Sequence, residues 1–206
     1  MTAEDVATFE RCIAVGGVAL FPSDTVYGLA TEPDSKEGRR RLYELKGRSQ
    51  DVPAAVMFFA LDLALEALPQ LGARTRAAVG ALLPGPLTLL LPNPARRYPL
   101  ACGPDPQRLG LRVPVLSGAL APLSAVKWPV LQSSANRSGG PDPRRVEDVE
   151  GHIRSGVDLQ LDGGALPGVA STVVDLTGFE ANGEHTVVRV GALSAETVAA
   201  ALTGTA

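Results

Sequence analysis

The 206-residue chain sets 19 Lys and Arg against 22 Asp and Glu, a formal charge of −3, which argues against a protein built to coat nucleic acid. That length buries a substantial core without disulfides or metal, so one domain is expected over residues 1–206. No apolar run approaches the ~18 residues of a membrane span, and Met1-Thr2-Ala3-Glu4-Asp5 lacks the basic start of a signal peptide, so the expected location is the cytoplasm.

In chain order, Val6, Phe9 and Ile13 recur at helical spacing, with Thr2 placed to cap. Val18 to Phe21 is a short apolar run between Gly16-Gly17 and Pro22, as in a strand buried on both faces. Ser23-Asp24-Thr25 then forms a polar turn, followed by Tyr27 and Gly28. Asp34 or Ser35 can cap the next helix, with Glu37 closing a capping box, Leu42 and Leu45 on its apolar face and Gly47 as its stop. Val52 to Phe59 reads as a strand, Leu61 to Leu68 and Thr75 to Leu83 as helices, and Leu87 to Leu91 as a further strand. Pro92 to Gly103 reads as an irregular surface excursion and a candidate lid. A short strand ends at Arg112, Ser117 to Val126 is expected to be helical, and Pro129 to Gln132 is a strand leading into a hydroxyl-rich loop, Ser133 to Gly140. Arg144 to Ile153 reads as helix, Val157 to Leu161, Ser171 to Leu176 and Thr186 to Val190 as strands, and Ala195 to Leu202 as the closing helix. The alternation predicts an α/β sheet, with ligands beyond the carboxyl ends of its strands.

Cys12 and Cys102, 90 positions apart, read as reduced, buried thiols, and His152 and His185 as surface residues, so no Cys/His metal site is expected. There are three lysines, Lys36, Lys46 and Lys127, against sixteen arginines; a lysine kept against that background suits a point charge on phosphate or carboxylate. The commoner meaning of Lys46-Gly47-Arg48 is two cations answering the negative end of a helix dipole. Likewise, Ser-Asp-Thr is more often a turn satisfying its own backbone than a ligand site. Arg39-Arg40-Arg41, Arg96-Arg97 and Arg144-Arg145 are read first as solvated helix faces. Neither G-x-x-x-x-G-K-[ST] nor a strand-linked G-x-G-x-x-G is present, so a phosphate site must come from dispersed groups.

Several motifs in order carry a resemblance: Pro22-Ser23-Asp24-Thr25-Val26-Tyr27-Gly28-Leu29, Lys46-Gly47-Arg48, Pro84-Gly85-Pro86-Leu87-Thr88, Arg112-Val113-Pro114, Ser133-Ser134-Ala135-Asn136-Arg137-Ser138-Gly139, Ser171-Thr172-Val173-Val174-Asp175 and Arg189-Val190-Gly191. Over residues 15 to 191 the chain resembles the YrdC/TsaC family of threonylcarbamoyl-AMP synthases, in its short single-domain form. The resemblance implies an open, twisted, mixed β-sheet flanked by helices, with a concave basic ligand-binding surface. It also implies condensation of L-threonine, bicarbonate or carbon dioxide, and ATP to threonylcarbamoyl-AMP and pyrophosphate, a product that downstream transfer proteins place on a tRNA adenosine. By the same resemblance Ser23, Thr25 and Tyr27 face threonine, and Lys46 and Arg48 are the catalytic pair on carbamate and phosphates. Arg112, Ser134, Asn136, Ser171 and Arg189 join them around the nucleotide. Mg²⁺ is expected with ATP, without a dedicated protein cage.

Two positions depart from the pattern: Ser23 stands where many relatives have Thr, and Val52 where many have a lysine just before the proline. The loss of that cation keeps two alternatives in view: a divergent family member using another carbamoyl substrate, and a non-catalytic binder of structured RNA whose affinity falls with salt.

Overall fold

The computed structural model describes residues 1–204. Helix α1 (Ala3–Ala14) begins with a reciprocal cap, Thr2 Oγ1 accepting from Asp5 N and Asp5 Oδ2 accepting from Thr2 N. Strands β1 (Ala19–Pro22) and β2 (Tyr27–Thr31) form an antiparallel hairpin closed by Ser23 to Val26. Helix α2 (Lys36–Lys46) is capped by Ser35 Oγ, which accepts from Gly38 N at 3.0 Å, and stops at Gly47, whose φ of 57° suits glycine. The chain continues through β3 (Ala55–Met57), α3 (Leu61–Ala67), α4 (Ala73–Leu82), β4 (Leu87–Pro92), α5 (Pro99–Cys102) and β5 (Arg108–Arg112). A 3-10 segment, Gly118–Ala125, leads to β6 (Val130–Ser134), and α6 (Gly151–Gly156) to β7 (Leu159–Gln160). Strand β8 (Thr172–Asp175), α7 (Phe179–Asn182), β9 (Thr186–Arg189) and α8 (Ala195–Leu202) complete it. No helix of the described residues is long and apolar enough to cross a membrane.

The strands make one mixed sheet in the order β7-β1-β2-β6-β3-β5-β4-β8-β9. The pairs β1/β7, β3/β5 and β4/β8 are parallel and the rest antiparallel. Side chains alternate across such a sheet, and that alternation builds both the core and the cleft. On one face Leu20, Leu29, Val56, Leu89, Leu109, Leu111, Leu131 and Val174 join Leu42 and Tyr43 of α2 with Val79, Leu82 and Val198 of the other helices. Each large apolar side chain buried there contributes ~1.5–3 kcal/mol. The opposite face is covered over only part of the sheet: Phe21, Ala30, Met57 and Val130 pack under Phe9 and Ile13 of α1. Beyond α1, that face continues as Ala55, Thr88, Leu90, Gly110, Arg112, Gln132, Ser171 and Val173, and these residues line an open cleft.

The mixed α/β architecture is the expected one, with local differences. β2 was not foreseen, because its five residues are all buried and show no alternation. The strand expected from Val52 to Phe59 shrinks to three residues. The helix expected from Ser117 is a 3-10 segment with Pro122 inside it, where a missing N–H breaks the α pattern. Arg144 to Ile153 is not one helix but a 3-10 turn at Val146–Asp148 followed by α6. Ser133 and Ser134 belong to β6 rather than to the loop after it. The Pro92 to Gly103 excursion contains α5 and is tied down by buried Asn93, whose Nδ2 donates to Arg97 O at 2.9 Å and Pro106 O at 3.0 Å. Ser35, not Asp34, caps α2, and Glu37 pairs with Arg40 instead of closing a box. Both cysteines are free, and Cys12 is only half-buried.

Candidate functional site

The cleft has a volume of about 500 Å³ and lies over the sheet's centre. Its floor is low because β3 and β5 place Ala55 and Gly110 there, and a Cβ on Gly110 would lie 3.3 Å from Ala55 Cα. Four arginines line it: Arg48 just after α2, Arg108 and Arg112 four residues apart on one face of β5, and Arg189 at the end of β9.

Each guanidinium is held from the protein side. Arg48 donates from Nη1 to Ser133 Oγ at 3.0 Å and from Nη2 to Pro53 O at 2.5 Å, and its guanidinium carbon lies 5.5 Å from the Tyr43 ring centroid. Burial, opposed by Tyr43, lowers its pKa. Arg108 pairs with Asp175. Arg112, 5% exposed, forms a buried ion pair with Asp24, Nη2 to Oδ1 at 2.9 Å, while Asp24 Oδ2 accepts from Val115 N at 3.0 Å. Burial pushes the Asp24 carboxyl upward, with Arg112 pulling it back, and burial likewise lowers the Arg112 pKa. Arg189 donates from Nη2 to Ser171 O at 2.8 Å and to Ser171 Oγ at 3.2 Å, and Ser171 Oγ lies 2.8 Å from Thr88 Oγ1. After these bonds the Nε–H groups of Arg48, Arg108 and Arg112 remain buried without a partner.

Lys46 sits behind this wall. It is 1% exposed, and its ammonium donates to Ser134 O, to Asn136 O at 2.7 Å and to Asn136 Oδ1 at 3.2 Å. Burial, reinforced by Arg48, lowers its pKa to about 8. Ser134 Oγ donates to Asn136 Oδ1 at 2.6 Å, and Asn136 Nδ2 donates to Gly140 O at 2.6 Å. The loop is therefore stapled to the end of α2, a junction that Ser138 N completes by donating to Lys46 O at 2.9 Å.

Of the residues singled out in the sequence, the fold brings Arg48, Arg112, Ser134, Ser171 and Arg189 to one cleft. Lys46, at the end of α2, and Asn136, in the supporting loop, are not on the wall, their polar groups committed to each other and to backbone carbonyls. Ser23 and Thr25 are 3% and 1% exposed in the hairpin turn beneath Arg112. Tyr27 points elsewhere: its hydroxyl donates toward Asp162 Oδ1 at 2.9 Å and Gly164 O at 2.8 Å and accepts from Gly163 N. Val52 is 40% exposed beside Pro53, which is on the wall, and its carbonyl receives the Tyr43 hydroxyl at 2.7 Å. Sequence reasoning missed Arg108, although its spacing from Arg112 at twice the strand period carried the signal. It also missed Asp24 and Thr88, each inside a motif whose other members drew the attention.

Such an open mixed sheet, with four arginines and several hydroxyls around one cleft, defines an α/β protein with an arginine-lined cleft on its sheet. The chain belongs to the Sua5/YciO/YrdC family, whose model, described as "Telomere recombination", matches residues 11–191. It is 33% identical over 181 residues to the threonylcarbamoyl-AMP synthase of Chromohalobacter salexigens, covering 87% of this chain and 96% of that one. It is 31% identical over 169 residues to that of Pyrococcus abyssi, covering 80% of this chain and 48% of the relative, so it spans about half the length of that protein. The structure of P. abyssi Sua5 complexed with L-threonine superposes with a TM-score of 0.82 at 25% identity, over 98% of this chain and 58% of that one.

Proposed function

We propose that the protein is an L-threonylcarbamoyladenylate synthase, condensing L-threonine, bicarbonate or carbon dioxide, and ATP into threonylcarbamoyl-AMP and pyrophosphate. The observation that carries the reading is the convergence of Arg48, Arg108, Arg112 and Arg189 with Ser134 and Ser171 on one cleft. Guanidinium–phosphate hydrogen bonds are charge-assisted, and a polyphosphate supplies enough acceptor oxygens to meet several arginines at once. Membership of the family, and the names of its relatives, select ATP and threonine from the anions such a cleft could take.

In this reading the threonine amine adds to carbon dioxide and loses a proton, giving a carbamate. One carbamate oxygen forms a bond to the α-phosphorus as the bond to the bridging oxygen breaks, and pyrophosphate leaves. No protein nucleophile is required, so the wall acts by positioning and by stabilising charge. Arg48 is assigned to carbamate and phosphates, and Arg112 and Arg189, with Ser134 and Ser171, to the nucleotide. Lys46 and Asn136 act through the loop they hold, and we assign the threonine end to the part of the wall that the hairpin reaches at Val26. Mg²⁺ enters with ATP, held by phosphate oxygens and water. Among the described residues no group of three or more His, Cys, Asp or Glu is arranged for a metal ion, and Asp105 and Asp142 are the wall carboxylates that would meet its water shell. The product would pass, in the cytoplasm, to proteins that transfer the threonylcarbamoyl group to a tRNA adenosine.

The test is pyrophosphate release from purified protein with ATP, Mg²⁺ and bicarbonate, scanned across the natural amino acids. A response to L-threonine alone is expected. Release supported by carbamoyl phosphate, with silence for threonine, would overturn the assignment.

A further inference from the structure

The irregular segment between Gly47 and β3 carries Arg48, Pro53 and Ala54 of the cleft wall, so what holds it holds one side of the cleft. Much of that hold converges on one side chain. Tyr43 lies on α2, four residues before Gly47, and is fully buried. Its hydroxyl donates its one proton to Val52 O at 2.7 Å, and its backbone carbonyl accepts from Arg48 N at 2.9 Å. Two guanidinium carbons lie near its ring centroid, that of Arg39 at 4.5 Å and that of Arg48 at 5.5 Å. Both distances fall within the range over which the negative face of an aromatic ring attracts a cation. Arg39 in turn donates from Nη1 to Gln50 Oε1 at 2.8 Å and from Nη2 to Gln50 O, so the second cation at the ring pins the middle of the same segment.

Arg48 differs from two of its neighbours on the wall in what supports it. Arg108 is paired with Asp175 and Arg112 with Asp24, so part of each charge is answered inside the protein. Among the described residues no carboxylate lies within ion-pair distance of Arg48. Its partners are Ser133 Oγ, Pro53 O and the Tyr43 ring, none of them anionic. An aromatic face orients a guanidinium without cancelling its charge. Burial holds Arg48 below the usual arginine pKa, with Tyr43 opposing and Arg39 adding to the effect, and a phosphate in the cleft is the counter-charge this arginine lacks.

We infer that Tyr43 is a positioning residue for Arg48: its ring seats the guanidinium and its hydroxyl fixes the segment beside it, so that Arg48 meets a phosphate-bearing ligand with its charge unpaired. The inference rests on the reading of the cleft as a polyphosphate site, and extends that site inward to a core residue that does not line the cleft. A seat built before binding also avoids ordering a long side chain when the ligand arrives.

The experiment is a double-mutant cycle read by titration calorimetry of inorganic pyrophosphate into the full chain, with the amino-acid dependence of turnover measured beside it. Tyr43→Phe keeps the ring and frees Val52 O; Tyr43→Leu removes ring and hydroxyl; Arg48→Met removes the guanidinium. With Arg48 in place, Tyr43→Phe is expected to weaken pyrophosphate binding about three-fold and Tyr43→Leu about ten-fold. In the Arg48→Met background each is expected to change it by less than about two-fold, because the residue through which Tyr43 acts is gone. Thermal melting identifies a Tyr43→Leu protein that fails to fold, and Tyr43→Phe then carries the cycle alone. Equal losses in both backgrounds overturn the inference and leave the polyphosphate reading standing, since a merely structural tyrosine costs the same with or without Arg48. A wild type that does not bind pyrophosphate overturns both. If turnover proves independent of threonine while the losses still vanish with Arg48, the proposed reaction falls and the positioning role is supported.

Discussion

Replacing Lys46 by methionine separates two consequences of burying an ammonium. Burial lowers the Lys46 pKa from 10.5 to about 8. Each pKa unit is worth about 1.4 kcal/mol, so holding the proton in the folded state costs roughly 3 kcal/mol relative to the unfolded chain. Between about pH 8 and the ordinary lysine value the unfolded chain carries the proton and the folded one has released it. Stability contributed through this group therefore rises with pH across that window. Lys46→Met abolishes the dependence and leaves Ser134 O and Asn136 O without their donor, a fixed loss that does not vary with pH. The quantity to measure is the wild-type minus variant unfolding free energy from urea denaturation, at intervals from pH 7 to above 10. Taking the difference cancels the tyrosines and cysteines that both proteins share. It should grow by about 3 kcal/mol, most of it above pH 8. A flat difference would sink the reasoning, and a falling one would mean that the carbonyl cage outweighs desolvation.

Three further substitutions probe other links. Tyr27→Phe removes a hydroxyl bonded to Asp162, Gly163 and Gly164 and should lower stability by about 1–3 kcal/mol in denaturation while leaving the KM for threonine unchanged. Gly38→Ala would gain about 1 kcal/mol of helix propensity, yet its Cβ would fall 2.0 Å from Thr31 Oγ1 and 2.9 Å from Gly16 O. Net destabilisation of about 1–3 kcal/mol is expected, read as a lower Tm. Val52→Lys restores a cation beside Pro53 and should tighten pyrophosphate binding a few-fold at low salt, a gain that fades as ionic strength rises; an equal gain at all salt concentrations would refute the electrostatic account.

Much of the architecture was legible because local signals agreed with tertiary ones. Thr2 and Ser35 cap where their spacing places them, Gly47 stops α2, and the apolar run Leu87 to Leu91 between prolines is a strand whose burial alternates. Illegibility has a physical pattern too. β2 is buried on both faces and carries no period, α5 and α7 are four residues each and too short for one, and the 3-10 segment carries an apolar pattern that a proline prevents from becoming α-helix.

At the site, sequence could say which charges would gather but not which atoms would be left over. Lys46 and Arg48 stand two residues apart, yet one lies beneath the Ser134–Asn136 loop and the other lies on the cleft wall, because Gly47 turns the chain left-handed between them. The same distinction runs through the hairpin, where Asp24 and Thr25 face Arg112 while Tyr27, two residues on, faces Asp162. A motif is read as a list of residue types, whereas function depends on which donors remain unpaired once the fold has used the others. Here the remainder is the donors left on the four cleft arginines once Ser133, Asp175, Asp24 and Ser171 have each taken part of one guanidinium.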